Sequence, residues 1–271
     1  MVFTRSENFP EPEVRNLTKG VGMNLLYLLF FLFLSSASSA DAGTPYSHLW
    51  GGFSTSLVNR SPEQCGNAGR AALDLNGRII PPGAVFSFND TVGARDTMKG
   101  YRPAPVINDR GGLDDTPGGG ICQLATTIYN AALEAGLEIV ERHPHSRSVG
   151  YVPPGRDATI VTWRTDLKLR NPHSLPLLLR VAVAENRLTA GFWSLVDKSF
   201  QVRILTDIVA VDPEAVSSRT VGQPGEFSQS GGQGFSVVTR RRVVRDGAAT
   251  EELLSRDFYP PPSRIVGNTE P

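Results

Sequence analysis

An imbalance of charge is missing from this chain. Its 271 residues carry 27 Lys plus Arg and 27 Asp plus Glu, so composition prescribes no basic surface for nucleic acid or for an anionic membrane. Sulfur is scarce: Cys65 and Cys122 are the only cysteines. Neither CxxC nor HExxH occurs, which removes the usual spacings of zinc ribbons and zinc peptidases. Long apolar runs are missing except for Leu25–Leu34, and at about ten residues that run is too short to span a bilayer comfortably. What remains is 40% hydrophobic, enough for a packed core in one large or two small domains.

The short run suits the core of a signal peptide, and Ser38-Ser39-Ala40 before Asp41 supplies the small side chains that signal peptidase needs. Residues 1–40 are therefore expected to direct export to the periplasm, cell wall or exterior. An uncleaved anchor over residues 25–40 is the alternative. In an oxidising compartment an even cysteine count also suggests a Cys65–Cys122 disulfide.

Ser61, Pro62 and Gln64 spell a helix start: a hydroxyl cap, a proline at the first helical position and a capping-box partner. That helix should run to about Asn76. Ala84–Phe88 alternates as a short strand, and Tyr101–Gly120 reads as loop. Ile121, Leu124, Ala125, Ile128, Ala132 and Ala135 recur at helical spacing, predicting a second helix from Ile121 to Gly136. Strands are expected over Leu137–Glu141, Thr159–Trp163, Leu167–Arg170, Leu175–Ala184 and Arg187–Phe192. Beyond a strand and a glycine- and serine-rich linker within residues 196–234, Phe235–Arg245 and Thr250–Phe258 flank Asp246-Gly247 as a β-hairpin tail ending the chain over residues 235–271. The expected class is α+β, with two helices packed on a mostly antiparallel sheet and a C-terminal β-hairpin extension.

Chemistry concentrates at Cys122. Gly118-Gly119-Gly120 frees backbone amides for close approach to a ligand, and the helix behind them turns its positive end towards the thiol, favouring thiolate. The same amides offer a place for an oxyanion. His143 and His145, in the HPHS segment after the following strand, are candidate bases. Pro144 imposes an extended backbone that sends their rings to opposite sides, and His145, at the entry to the next loop, is the preferred one. Asp157 is placed to orient the base and Arg156 to hold a substrate carboxylate. Gln123 beside the thiol, and Tyr129 on the helix face shared with Cys122 and Thr126, complete the candidate substrate contacts. The bland alternatives are a buried cysteine in a tight turn, surface histidines and structural turn residues. A zinc site on Cys122, His143 and His145 is disfavoured by the rigid His-Pro-His spacing. No metal or cofactor is expected.

The strings GGGICQLATTIYNAALEAGLEIVERHPHS (Gly118–Ser146) and YVPPGRDAT (Tyr151–Thr159) resemble the VanW family, as do PPGAVFSFNDTVG (Pro81–Gly93), GYRPAPVI (Gly100–Ile107) and NPHSLPLLL (Asn171–Leu179). The resemblance spans Gly52 to Trp193, within a domain drawn at residues 44–195, and the tail resembles a short β extension that follows such domains. It implies a cell-envelope protein from a family named for glycopeptide-resistance clusters. It further implies an L,D-transpeptidase-type activity on peptidoglycan stem peptides, with Cys122 as nucleophile and His143 or His145 as base. Cys65 departs from the family pattern. The competing expectation is a non-catalytic module that binds peptidoglycan through the same cleft, with Gly118–Gly120 and Arg156 as its anchors.

Overall fold

The computed structural model describes residues 45–108, 112–210, 227–228, 234–260 and 266–267, all within a unit that begins at Thr44. The expected signal segment lies outside the described residues, as does most of the Ser217–Gly234 tract. Among the described residues no helix is long and apolar enough to cross a membrane.

The chain opens with β1 (His48–Ser56) and enters α1 (Pro62–Leu75) through the capping box anticipated from sequence. The Gln64 amide donates to the Ser61 hydroxyl at 3.2 Å, and the Ser61 amide donates to Gln64 Oε1 at 3.2 Å. Next come β2 (Arg78–Ile80), β3 (Val85–Ser87) and the short α2 (Phe88–Val92), whose amide end is capped by Ser87. Tyr101–Gly120, expected as loop, instead contains the hairpin of β4 (Pro103–Ile107) and β5 (Leu113–Pro117). Its prolines and acidic residues carry no apolar alternation, because all of β5 is exposed.

α3 (Ile121–Glu134) follows, stopping at Gly136 with φ of 74°. Its apolar stripe was expected on one face, yet every residue from Gln123 to Leu133 is buried. The helix is therefore central rather than amphipathic. After it come β6 (Glu138–Glu141), β7 (Lys168–Arg170), β8 (Leu177–Ala184) and β9 (Arg187–Ser194). Thr159–Trp163 is not a strand: only two isolated bridges form, His143 with Thr159 and Val161 with Thr165. Trp163 turns the chain at φ of 63°.

One antiparallel sheet has the order β1-β9-β8-β2, with α1 against β8 and α3 against β1 and β9; a smaller one is β3-β7-β6. α3 and β1 meet backbone to backbone at Gly51. A Cβ there would lie 2.3 Å from the Ala135 nitrogen and 2.5 Å from the Ala131 carbonyl oxygen, so only glycine fits. β10 (Phe200–Ala210), β12 (Phe235–Arg245) and β13 (Ala248–Tyr259) form a third antiparallel sheet, and a two-residue pair joins β11 (Phe227–Ser228) to β14 (Val266–Gly267). The β12–β13 turn is Asp246-Gly247, with φ of 51° and 79°, the left-handed pair that a twisted two-residue hairpin needs. The class is α+β, as anticipated, with α2 added to the two expected helices.

Candidate active site

Gly120 caps α3 in the left-handed region, φ 100°, with no side-chain cap. Ile121 is the first helical residue and Cys122 the second, so the thiol sits at the positive end of a 14-residue helix. One side of α3 is stitched to the returning segment 156–160. The Thr126 hydroxyl donates to the Ala158 carbonyl at 3.1 Å and accepts from its amide at 2.9 Å, and Asn130 Nδ2 donates to the Arg156 carbonyl at 2.7 Å. That seam brings Thr159 and Ile160 to the thiol: Cys122 Sγ lies 3.6 Å from Thr159 Oγ1 and 3.5 Å from the Ile160 carbonyl oxygen. The face expected to line an open cleft is thus largely covered by backbone.

The same seam delivers Asp157, which is 1% exposed. Its Oδ2 accepts from the His145 amide at 2.7 Å and pairs with His145 Nδ1 at 2.6 Å. With Nδ1 so held, Nε2 is the ring nitrogen left for the sulfur, and the imidazole and thiol interact electrostatically. Asp157 Oδ1 accepts from Arg142 Nη2 at 3.1 Å and from the Tyr259 hydroxyl. Arg142 also donates to the Asp157 carbonyl at 2.6 Å and to Asp257 Oδ2 at 2.5 Å. His145 and Asp257 are each 6% exposed, so this polar network is desolvated and charge-paired throughout.

These contacts set the protonation states. Burial by itself would push the Cys122 thiol up; the interaction with the His145 ring and its charge, with contacts to Ile160 and Thr159, outweighs that and brings it down to about 7. Burial would lower His145, but Asp157 and the thiolate hold the imidazolium up to about 9. Asp157 stays below the usual carboxylate range: desolvation is overcome by His145, Arg142 and Tyr259. Between those two values the site holds a thiolate–imidazolium pair, a sulfur nucleophile with a proton donor at its side.

Of the other sequence candidates, His143 bonds Glu141 Oε1 at 3.1 Å and its ring points away from this network. The reason is the extended backbone at Pro144, which sends alternate side chains to opposite sides. The glycines serve a different purpose from the one expected. A Cβ on Gly119 would lie 2.4 Å from the Ala104 carbonyl oxygen, and one on Gly120 would lie 2.6 Å from that of Gln64, so what packs closely there is the protein's own β4 and α1. The amides of Gly118 and Gly119 donate to Arg102 and Thr116 carbonyls at 3.3 Å each, which takes them out of an oxyanion site. Gln123 is buried and bonded to Thr55 Oγ1, the Ser56 carbonyl and Arg60. Tyr129 is 1% exposed beneath the Arg142 guanidinium. Arg156 is bound to Asn130 Oδ1 and lies over the Phe53 ring. Gln123 and Tyr129 are thus packed inside the protein, while Arg156 is half-buried and bonded through Nε. Arg142, Thr159, Asp257 and Tyr259 were not anticipated.

Cys65 and Cys122 are both free thiols, so the disulfide expectation is not met. Among the described residues no group of three or more His, Cys, Asp or Glu is arranged to hold a metal ion.

The structure thus brings Cys122, His145 and Asp157 together at the start of α3. In comparison with known proteins, residues 63–193, just under half of the chain, match the family described as VanW like protein. A protein of Bacillus subtilis (strain 168) named "Uncharacterized protein YoaR" is 45% identical over 114 residues, covering 42% of this chain and 37% of that protein. Vancomycin B-type resistance protein VanW of Enterococcus faecalis (strain ATCC 700802 / V583) is 35% identical over 106 residues, covering 37% of this chain and 38% of its own. The matched part thus spans less than two-fifths of each of these relatives. No solved structure matches the chain.

Proposed function

We propose that this is an exported, cell-envelope-associated cysteine acyltransferase of the L,D-transpeptidase type, acting on peptidoglycan stem peptides. The observation that carries the proposal is the Cys122–His145–Asp157 constellation; the similarity to the resistance protein VanW supports the cell-envelope setting. The Cys122 thiolate attacks a stem-peptide carbonyl, and as the C–N bond breaks His145 passes its proton to the departing D-alanine amine. His145 is then neutral and takes a proton from the acceptor amine as that nitrogen displaces sulfur, which restores the ion pair. Asp157 stays ionised throughout and keeps the imidazole in one tautomer. The rival reading, recognition without chemistry, relies on Arg156 and the glycine amides as anchors, and the amides of Gly118 and Gly119 are already bonded within the protein.

Intact-mass measurement after incubation with stem tetrapeptides decides between them. The expected result is a Cys122 adduct equal to the peptide acyl group minus D-alanine, absent from Cys122→Ala. Equal peptide retention by wild type and Cys122→Ala with no adduct would instead favour a binding module.

A further inference from the structure

Tyr259 ends β13, far outside residues 63–193 that match the family. Its ring is 1% exposed and stacks on Phe235 across the hairpin, centroids 5.3 Å apart. Its hydroxyl donates to Asp157 Oδ1 and accepts from the Gly155 amide at 2.9 Å. Two residues earlier, on the same face of the strand, Asp257 holds Arg142, which is the other side-chain donor to that carboxylate oxygen. Thr239 of β12 adds a contact to the Gly155 carbonyl at 3.3 Å. The carboxylate that orients His145 is therefore gripped on its remaining oxygen by a network that the C-terminal sheet closes.

We infer that Tyr259 is a positioning residue for the Cys122–His145 pair, acting through Asp157, and that the C-terminal sheet is a working part of the site. The inference rests on the cysteine–histidine reading above and on no particular substrate. The phenol withdraws charge from Asp157 and fixes its plane relative to the imidazole. His145, Arg142 and Tyr259 bond Asp157, Asp257 reaches it through Arg142, and the Tyr129 and Tyr151 phenols lie near by. Cys122 is faced by His145, Thr159 and the Ile160 backbone, with the charge of Arg95 and the buried Tyr151 phenol nearby. Without the hydroxyl, Asp157 keeps more of its charge for the imidazolium and binds the proton more firmly.

The test is an NMR titration of the four histidine rings, with His145 assigned by His145→Gln. In Tyr259→Phe the His145 midpoint should rise from about 9 by about half a pH unit. Val243→Ala, which loosens the same sheet through core packing without touching Asp157, should lower the melting temperature and leave the midpoint in place. A midpoint that is unmoved or lowered in Tyr259→Phe overturns the inference and leaves Tyr259 as packing. Should Tyr259→Phe fail to fold, 3-fluorotyrosine at position 259, a stronger donor, should move the midpoint down, and no change there is equally fatal. If no stem peptide ever acylates Cys122, the enzymatic proposal falls while the midpoint still decides the role of Tyr259.

Discussion

α1 and α3 make a natural experiment. Each is a 14-residue helix with a cysteine within its first four positions, Cys65 in one and Cys122 in the other. α1 is closed by its own capping box, and the Cys65 amide bonds back to the Ser61 carbonyl at 3.0 Å. α3 has no side-chain cap at Gly120, and opposite its cysteine stands His145, held by Asp157. A helix dipole is worth only about 0.3–1 kcal/mol at such a site. The contrast teaches that the acidity of a cysteine near a helix start depends on whether the fold brings a charged partner to it from elsewhere in the chain.

Separating the two cysteines gives the largest effect: Cys122→Ala should abolish adduct formation while Cys65→Ala leaves it intact, as read by intact mass. Removing the partner is next. In His145→Gln burial is no longer opposed by the imidazolium, so the thiol midpoint should climb from about 7 to at least its ordinary value of about 9, slowing iodoacetamide labelling at pH 7 by about fifty-fold. His143→Gln should label like wild type. Asp157→Asn leaves Arg142 and the His145 imidazolium without their buried counter-charge and should cost about 3–5 kcal/mol in urea unfolding. Weakest is the α1 cap, where Ser61→Ala should cost about 1 kcal/mol and leave labelling unchanged.

Acidity sharpens the same comparison. His145, raised to about 9, contributes stability that is complete below about 6.5 and lost as pH rises through about 9. Cys122, lowered to about 7, contributes stability that is complete above about 9 and lost as pH falls through about 7. The two run in opposite directions and nearly cancel. The pair should therefore impose a steep pH dependence on labelling near 7 and almost none on the melting temperature it influences.

The helices and the C-terminal hairpin were legible because their signals are local: Ser61-Pro62 with Gln64, the stripe from Ile121 to Ala135, and Asp246-Gly247. Cys122, His145 and Asp157 were legible because a glycine turn, a proline between histidines and a Pro-Gly turn restrict where their side chains point. Arg142, Asp257 and Tyr259 gave no such sign. Tyr259 lies 102 residues from Asp157 in sequence, and no period or spacing encodes a contact made by docking a sheet on an irregular segment. The burial of Gln123 and Tyr129 was hidden for a related reason: helical periodicity places a residue on a face, but whether that face is open depends on what lies against it.

Gly51 now acquires a mechanical meaning. With no side chain there, β1 lies directly on the flank of α3 at Ala131 and Ala135, and further along the same strand Thr55 meets Gln123 and Thr127. The two elements are thus joined at both ends of the helix like a rail and its sleeper. α3 is about 20 Å long and stiff along its axis, so a methyl group wedged into the joint at Gly51 would lever one end of the rod off the strand and tilt the whole helix. A glycine on an outer strand thereby sets the angle at which the Cys122 end of the helix is presented.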